Sequence, residues 1–252
     1  MKDLFEGGIT VIKISLKDGK KIEVEKGSKV IDIASKLSIS LSKKALGAVV
    51  DGKVAELNDE INEDCKLEIL TFEDEEGKKI LRHTASHILA QAIKRLYPEV
   101  KLAIGPAIDS GFYYDVDAEF SFTPELLEKI EGKMNEIVKE DIRLERFELP
   151  REEAIKFMEE KDEPYKVELI KDLPEDSVIS FYKQGDFVDL CAGPHVPSTG
   201  RAKAVKLLSI AGAYWRGNEN NKMLQRIYGT VFEKKSDLEN YIKLMEEAKK
   251  RD

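Results

Sequence analysis

Apolar positions in the first seventy residues change period several times, and each change marks an element. Ile12, Ile14 and Leu16 alternate with polar neighbours, Lys17-Asp18-Gly19-Lys20 has hairpin-turn chemistry, and Ile22 and Val24 resume the alternation. Helical spacing follows. Ser28 is placed to cap an amphipathic helix that runs through Val30, Ile31, Ile33 and Ala34 and ends near Leu37. Residues 47–50, the Asp51-Gly52 turn and Val54 predict a second hairpin, and Cys65, Leu67 and Ile69 share one face of a last strand. The ββαββ order predicts a small β-grasp, ubiquitin-like domain over residues 1–72. In it Cys65 is an apolar-face core residue rather than a redox group.

Residues 73–77 are acidic and polar without apolar periodicity, which puts the domain boundary there. A helix is predicted over residues 78–97, stopped by Pro98, with Leu81, Ala85, Ile88, Leu89, Ala92 and Leu96 on one stripe. A loop containing Gly105-Pro106 then leads into a strand through Phe112, Tyr113 and Tyr114. Thr123-Pro124-Glu125 supplies a cap and a first-turn proline for a helix to about Glu140. Residues 142–149 read as a strand, 152–160 as a helix, and a short element follows Pro164. Two hairpins come next, 178–182 with 187–190 and 205–215 with 223–228. Ser236-Asp237-Leu238-Glu239 is a capping box for a final helix with Leu238, Ile242, Met245 and Ala248 on one side. The whole is α+β: the small domain, a larger α+β domain with antiparallel sheet over residues 73–233, and a C-terminal helix over 234–252.

Composition narrows the class. Of 252 residues, 42% are hydrophobic and 36% charged, as in a soluble globular chain, and no window approaches the ~18 apolar residues of a membrane helix. The opening MKDLFEGGITVIK lacks the basic-then-apolar order of a secretory signal, and two cysteines make no disulfide framework, so a cytoplasmic location is expected. A net charge of −8 argues against a general nucleic-acid coat protein. It leaves room for local basic runs such as residues 20–29, 36–44 and 201–206, which usually are solvated faces.

The chemistry-bearing residues are few. His83 and His87 form His-x3-His on the long helix, on the face away from its main apolar stripe, so both imidazoles can converge on one point. Cys191 and His195 form Cys-x3-His after the first hairpin, with Gly193-Pro194 as a rigid turn between them. The set admits a zinc site, a metal-free site in which histidine deprotonates a water, or, third, a Cys191 nucleophile activated by His195. No glutamate follows His83, so the metalloprotease signature is absent, as are a P-loop and Gly-x-Gly-x-x-Gly. Asp115 and Asp117 read as wet-face strand residues, and Trp215 as a buried strand aromatic rather than a base-stacking platform.

Longer words in the sequence carry a resemblance. His83-Thr-Ala-Ser-His87, Ala103-Ile-Gly-Pro106, Gly111-Phe-Tyr-Tyr-Asp-Val-Asp117, Val188-Asp-Leu-Cys-Ala-Gly-Pro-His-Val-Pro197, Ala211-Gly-Ala-Tyr-Trp-Arg-Gly217 and Asn221-Lys-Met-Leu-Gln-Arg-Ile-Tyr-Gly229 resemble the N-terminal half of bacterial-type threonyl-tRNA synthetases. That half holds a TGS domain followed by an editing domain. Alanyl-tRNA synthetases share the His-x3-His and Cys-x3-His skeleton but not these words.

The resemblance implies hydrolysis of the ester that joins serine to the 3′ end of threonine tRNA. Serine lacks only one methyl of threonine, worth ~1–3 kcal/mol of discrimination, so a second sieve is needed. It implies His83 as water-orienting base and Lys166 as the group that stabilises or reprotonates the leaving hydroxyl. Asp189 would hold the seryl ammonium. His87, Cys191 and His195 would shape the pocket, with Tyr114 and Tyr182 as contacts to adenosine or the seryl group. Ala192 stands where a basic residue is expected in relatives, which puts one RNA contact in doubt. No metal or other cofactor is implied in this chain. ATP, magnesium and zinc would belong to the aminoacylation domain, which the chain stops short of, and so would the contacts of a homodimer. The competing readings are a non-catalytic tRNA-binding module and a zinc-dependent deacylase of the alanyl type.

Overall fold

The computed structural model describes residues 8–251, so residues 1–7 and Asp252, counted above with the end domains, lie outside the described residues. The chain divides into two compact units between Lys78 and Lys79.

The first unit runs β1 (Val11–Leu16), β2 (Lys21–Glu25), β3 (Ser28–Lys29), α1 (Val30–Leu37), α2 (Ile39–Lys44), β4 (Gly47–Val50), β5 (Lys53–Ala55), β6 (Glu60–Ile61) and β7 (Cys65–Leu70). Its sheet has the order β2-β1-β7-β4-β5, with β1 and β7 parallel and the other neighbours antiparallel. Ile12, Ile14, Val24 and Leu67 meet Val30 and Ile33 of α1 in the core, and Cys65 packs against its margin. Ser28 does not cap α1. It pairs with Ile61 in a two-stranded ladder, its hydroxyl donates to the Glu25 carbonyl, and the cap position falls to Lys29 without a side-chain bond. The unpredicted α2 buries none of its residues, so it left no apolar stripe; Ser38 starts it by accepting from the Leu41 amide.

A 22-residue helix, α3 (Glu75–Leu96), follows. Glu75–Gly77, expected to be linker, are its first turn. A Cβ at Gly77 would stand 2.0 Å from the Thr71 carbonyl oxygen, so glycine lets the preceding strand end approach the helix start.

The second unit continues with β8 (Lys101–Leu102), β9 (Ala107–Ile108), β10 (Gly111–Asp117), α4 (Pro124–Glu140), β11 (Leu144–Glu148), α5 (Arg151–Glu160), α6 (Pro164–Asp172), β12 (Ser180–Gln184), β13 (Phe187–Leu190), β14 (Ala204–Tyr214), β15 (Met223–Phe232) and α7 (Lys235–Lys249). One antiparallel sheet has the order β14-β15-β10-β8, with β9 also on β10; a second is β11-β12-β13. Thr123 caps α4 by accepting from the Leu126 amide, with Pro124 in the first turn. The capping box at Ser236 does not form, because α7 begins at Lys235 with Lys234 as an uncapped start.

Burial extends one face beyond its predicted stripe and corrects another. Beyond the expected stripe, α3 also buries Thr84, Ser86, His87 and Gln91, because the β12–β13 hairpin and the chain after it cover its polar side. Gln91 donates to the Gln184 carbonyl and to Asp186, at 2.8 Å each. Asp115, expected on a wet face, is buried and held by Nε and Nη2 of Arg226 at 2.8 and 2.9 Å. Trp215 is buried in a single helical turn just beyond β14, where its indole N–H donates to Glu168.

Candidate active site

Four chain segments meet beside α3. His83 and His87 are one turn apart on that helix, and the chain leaving the β12–β13 hairpin delivers Cys191 and His195. Cys191 is fixed at the hairpin's end by its amide donating to the Ser180 carbonyl at 3.0 Å, while the Ser180 hydroxyl donates to the Cys191 carbonyl at 2.6 Å. The Cys191 sulfur stands 3.3 Å from His83 Nε2 and 3.2 Å from His195 Nε2, and the Gly193 amide donates to it at 3.2 Å. His83 Nδ1 lies 3.3 Å from the Pro194 carbonyl oxygen. A carbonyl can only accept, so Nδ1 carries the proton and Nε2 keeps a lone pair. Thr84, between the two helical histidines, binds His195 Nδ1 at 2.9 Å and accepts from the Val196 amide.

A second group adjoins the first. Asp189, on β13, takes the Lys166 ammonium on one carboxylate oxygen at 2.9 Å, and the Tyr114 hydroxyl on the other at 2.6 Å. His87 Nδ1 lies 3.3 Å from that second oxygen, and Lys166 also donates to the Tyr114 oxygen at 2.8 Å. Lys166 comes from α6 and Tyr114 from β10; all four side chains are buried. Arranged this way, Asp189 already holds three partners. A carboxylate has about four lone-pair sites, so a further ammonium can share it only alongside Lys166.

Both groups border a cavity of about 400 Å³. Its polar wall is His83, His87, Lys166 and Asp189, and Ile104, Pro106 and Leu169 are apolar lining. Cys191 and Tyr114 also line it, and Ala192 is exposed at its edge. His195 and Tyr182 stand behind this lining, with their rings in contact at 4.4 Å, and Tyr182 packs on Leu144 and Cys191. Tyr182 thus braces the wall rather than facing the cavity. Thr84 and the Pro194 carbonyl are functional contacts without a sequence signature of their own; only the position of Thr84 between the histidines hints at its part. Gly105, within the Ala103-Ile-Gly-Pro106 motif, also shapes the site. A Cβ there would stand 2.2 Å from the Tyr114 ring, so its absence lets that ring reach Asp189.

Burial sets the protonation states. Desolvation pulls His83 below its ordinary value against the Pro194 hydrogen bond and Asp189, and pulls His87 and His195 well below. All three are neutral near pH 7. Burial, then the neighbouring Asp189, push the Tyr114 hydroxyl well up, so it remains a donor.

The donor set also suits a metal. One ligand atom each from His83, His87, Cys191 and His195 lies within 4.8 Å of the others. The sulfur–nitrogen separations of 3.2 and 3.3 Å approach the ~3.5 Å edge of a tetrahedron built on zinc–nitrogen and zinc–sulfur bonds. His87 and His195 turn their other nitrogens to Asp189 and Thr84, as ligating histidines do.

Residues 12–71 match the TGS domain family, and residues 179–228 match the family described as threonyl and alanyl tRNA synthetase second additional domain. Over 242 residues, 96% of the chain, it is 93% identical to a threonine–tRNA ligase of Clostridium kluyveri, and over the same span 73% and 72% identical to those of Clostridium novyi and Clostridium tetani. The chain is thus similar, along 96% of its length, to part of these threonine–tRNA ligases. It spans 38% of the length of those curated relatives. The second additional domain is the editing domain of threonyl-tRNA synthetases, and its match covers β12, β13, Asp189, Cys191 and His195. His83, His87, Tyr114 and Lys166 lie N-terminal to the matched residues, on elements that the fold brings against them.

Proposed function

We propose that the second unit hydrolyses the ester of serine mischarged on threonine tRNA, in the cytoplasm and without a metal. The observation that carries this reading is the convergence, at one cavity, of a neutral His83 whose Nε2 keeps its lone pair and a buried Lys166–Asp189 pair.

In this reading the seryl ammonium binds Asp189 beside Lys166, and the ester carbonyl points into the cavity. His83 Nε2 takes a proton from a water as that water attacks the carbonyl carbon. The imidazolium that forms keeps its Nδ1–H on the Pro194 carbonyl. The tetrahedral intermediate collapses with cleavage of the ester C–O bond, and Lys166 stabilises or protonates the ribose oxygen that leaves. His87 and the Tyr114 hydroxyl hold Asp189 in place, while Cys191 and His195, with Tyr182 behind them, form the wall. The apolar lining at Ile104 and Leu169 makes the cavity sensitive to one additional methyl, the difference between the cognate and the mischarged ester.

Purified chain incubated with seryl-tRNA bearing the threonine anticodon should clear the ester well above the spontaneous rate and leave threonyl-tRNA intact. No acceleration would favour a non-catalytic tRNA-binding module, and equal rates on both esters would end the editing role. The donor geometry favours one second reading, a zinc-dependent deacylase. Four protein ligands would close a zinc site and leave no position for the attacking water, whereas catalytic zinc keeps one open. Chelation should therefore leave the rate unchanged; activity lost to chelator and restored by zinc alone would transfer the cluster to the metal.

A further inference from the structure

Lys166 stands in the first turn of a nine-residue helix, α6, and nothing within that helix sets where its ammonium meets Asp189. We infer that Glu163 is a positioning residue for Lys166: its carboxylate ties the start of α6 to α3 and β8 and so fixes where the lysine stands. This inference rests on the role proposed for Lys166 above.

Glu163 occupies the cap position of α6 but its side chain makes no cap bond. Ser, Thr, Asp or Asn would be the local choice there. The longer side chain turns away from its own helix. One oxygen pairs with the Lys94 ammonium at 2.8 Å and the other accepts the Leu102 amide at 2.9 Å. Lys94 is itself anchored on the carbonyls of Pro98 and Val100, at 2.8 and 3.0 Å, so the carboxylate grips a fixed point.

Glu163 is only 6% exposed. Burying a charged group is costly unless it is paired and hydrogen-bonded, and here both oxygens are used. Burial raises the Glu163 carboxyl above its ordinary value, opposed by Lys94 and the Leu102 amide. Farther along α6, Glu168 accepts from the Trp215 indole and Asp172 pairs with Arg216. Those contacts hold the helix from the β14–β15 side, where Trp215 and Arg216 lie. At the end next to Lys166 the Tyr165 hydroxyl donates to Asp117 of β10, and Glu163 supplies the buried link to α3: through Lys94 it refers that end to the helix carrying His83 and His87.

The test is a double-mutant cycle read by single-turnover deacylation of seryl-tRNA. Glu163→Gln keeps the volume and one acceptor oxygen but sets an amide against the Lys94 ammonium. It should lower the maximal rate by about 10- to 100-fold, the scale of a misplacement on the order of 1 Å, with the half-saturating tRNA concentration unchanged. On a Lys166→Ala background the same substitution should cost nothing further. An equal loss with and without Lys166 would overturn the inference.

An activity-independent readout separates this from failure of the proposed function. In the folded Glu163→Gln protein, Lys166 should be acetylated by acetic anhydride severalfold faster than in the parent, measured by peptide mass spectrometry; an unchanged rate overturns the inference. Should Glu163→Gln not fold, Lys94→Met breaks the same tie from the other side, and the same two outcomes decide.

Discussion

Replacing Asp189 by asparagine removes the negative member of a buried ion pair and leaves its partner in place. The two side chains are 3% and 5% exposed, so solvent cannot compensate the stranded Lys166 ammonium. Removing one partner of such a pair costs about 3–5 kcal/mol, whereas replacing both by apolar groups of similar size is often close to neutral. Asp189→Asn should therefore destabilise the second unit by about 3–5 kcal/mol. Adding Lys166→Met should recover most of that loss, leaving only the weakened hydrogen bonds of Tyr114 and His87. The chain's single tryptophan, Trp215, is buried against Tyr165 of α6, so its emission during urea unfolding reports on the unit concerned. With a slope of about 2 kcal/mol per molar urea, the single variant should shift the midpoint down by roughly 1.5–2.5 M and the double variant by well under half of that. If both variants unfold at the same urea concentration, the cost lies elsewhere than in an uncompensated charge, and the electrostatic account of this pair is refuted.

Other consequences are open to measurement. His83→Ala should lower deacylation by about 10²–10⁴-fold, the usual worth of a general base, while the unfolding midpoint changes little because His83 is only half-buried; a loss under about threefold would remove His83 from the base role. Because His83, His87 and His195 have lowered values in the folded state, the unfolded chain binds protons that the folded chain refuses once the pH drops below about 6.5, so stability should fall from there downward. Glu163, raised by burial, acts in the opposite sense from about pH 4.5 upward, and unfolding midpoints in steps from pH 8 to 5 should expose the histidine trend; a flat profile would contradict neutral burial of the three. Gly105→Ala should displace the Tyr114 ring and depress both stability and rate, and a silent substitution would show that the ring has room the structure denies it.

The parts of this architecture legible in the sequence are those that repeat locally. The alternation at Ile12, Ile14, Ile22 and Val24 reports a sheet with one face on a core, and the i,i+4 spacing of His83 and His87 brings both rings to one side of a helix whatever packs there. Tertiary partners were not legible. Ser28 carries a cap signature, yet strand pairing with Ile61 outcompetes it. What covers the polar side of α3 is not legible, because nothing in residues 78–97 shows that a hairpin nearly one hundred positions later packs there. The network of Tyr114, Lys166 and Asp189 joins positions 52 and 75 apart, so its members came from family likeness alone. Thr84 and the Pro194 carbonyl act on imidazole nitrogens over a separation of 111 residues, which periodicity does not record.

Those separations also impose a timetable. His83 meets the carbonyl of Pro194 and Thr84 meets His195, each across 111 positions, and β10 finds its main partner only when β15 exists, Phe112 lying opposite Gly229. At about 5–20 residues per second, the ribosome needs roughly 6–22 s to pass from His83 to His195. Through that interval α3 must wait with most of its circumference apolar or unpaired, while the first unit, whose sheet closes at Leu70, is already complete. Late closure of this kind slows folding, because distant ends must be brought together before any contact rewards them. The same geometry that shelters the histidines in the finished molecule thus leaves the nascent helix as the stretch most in need of protection while the chain is being made.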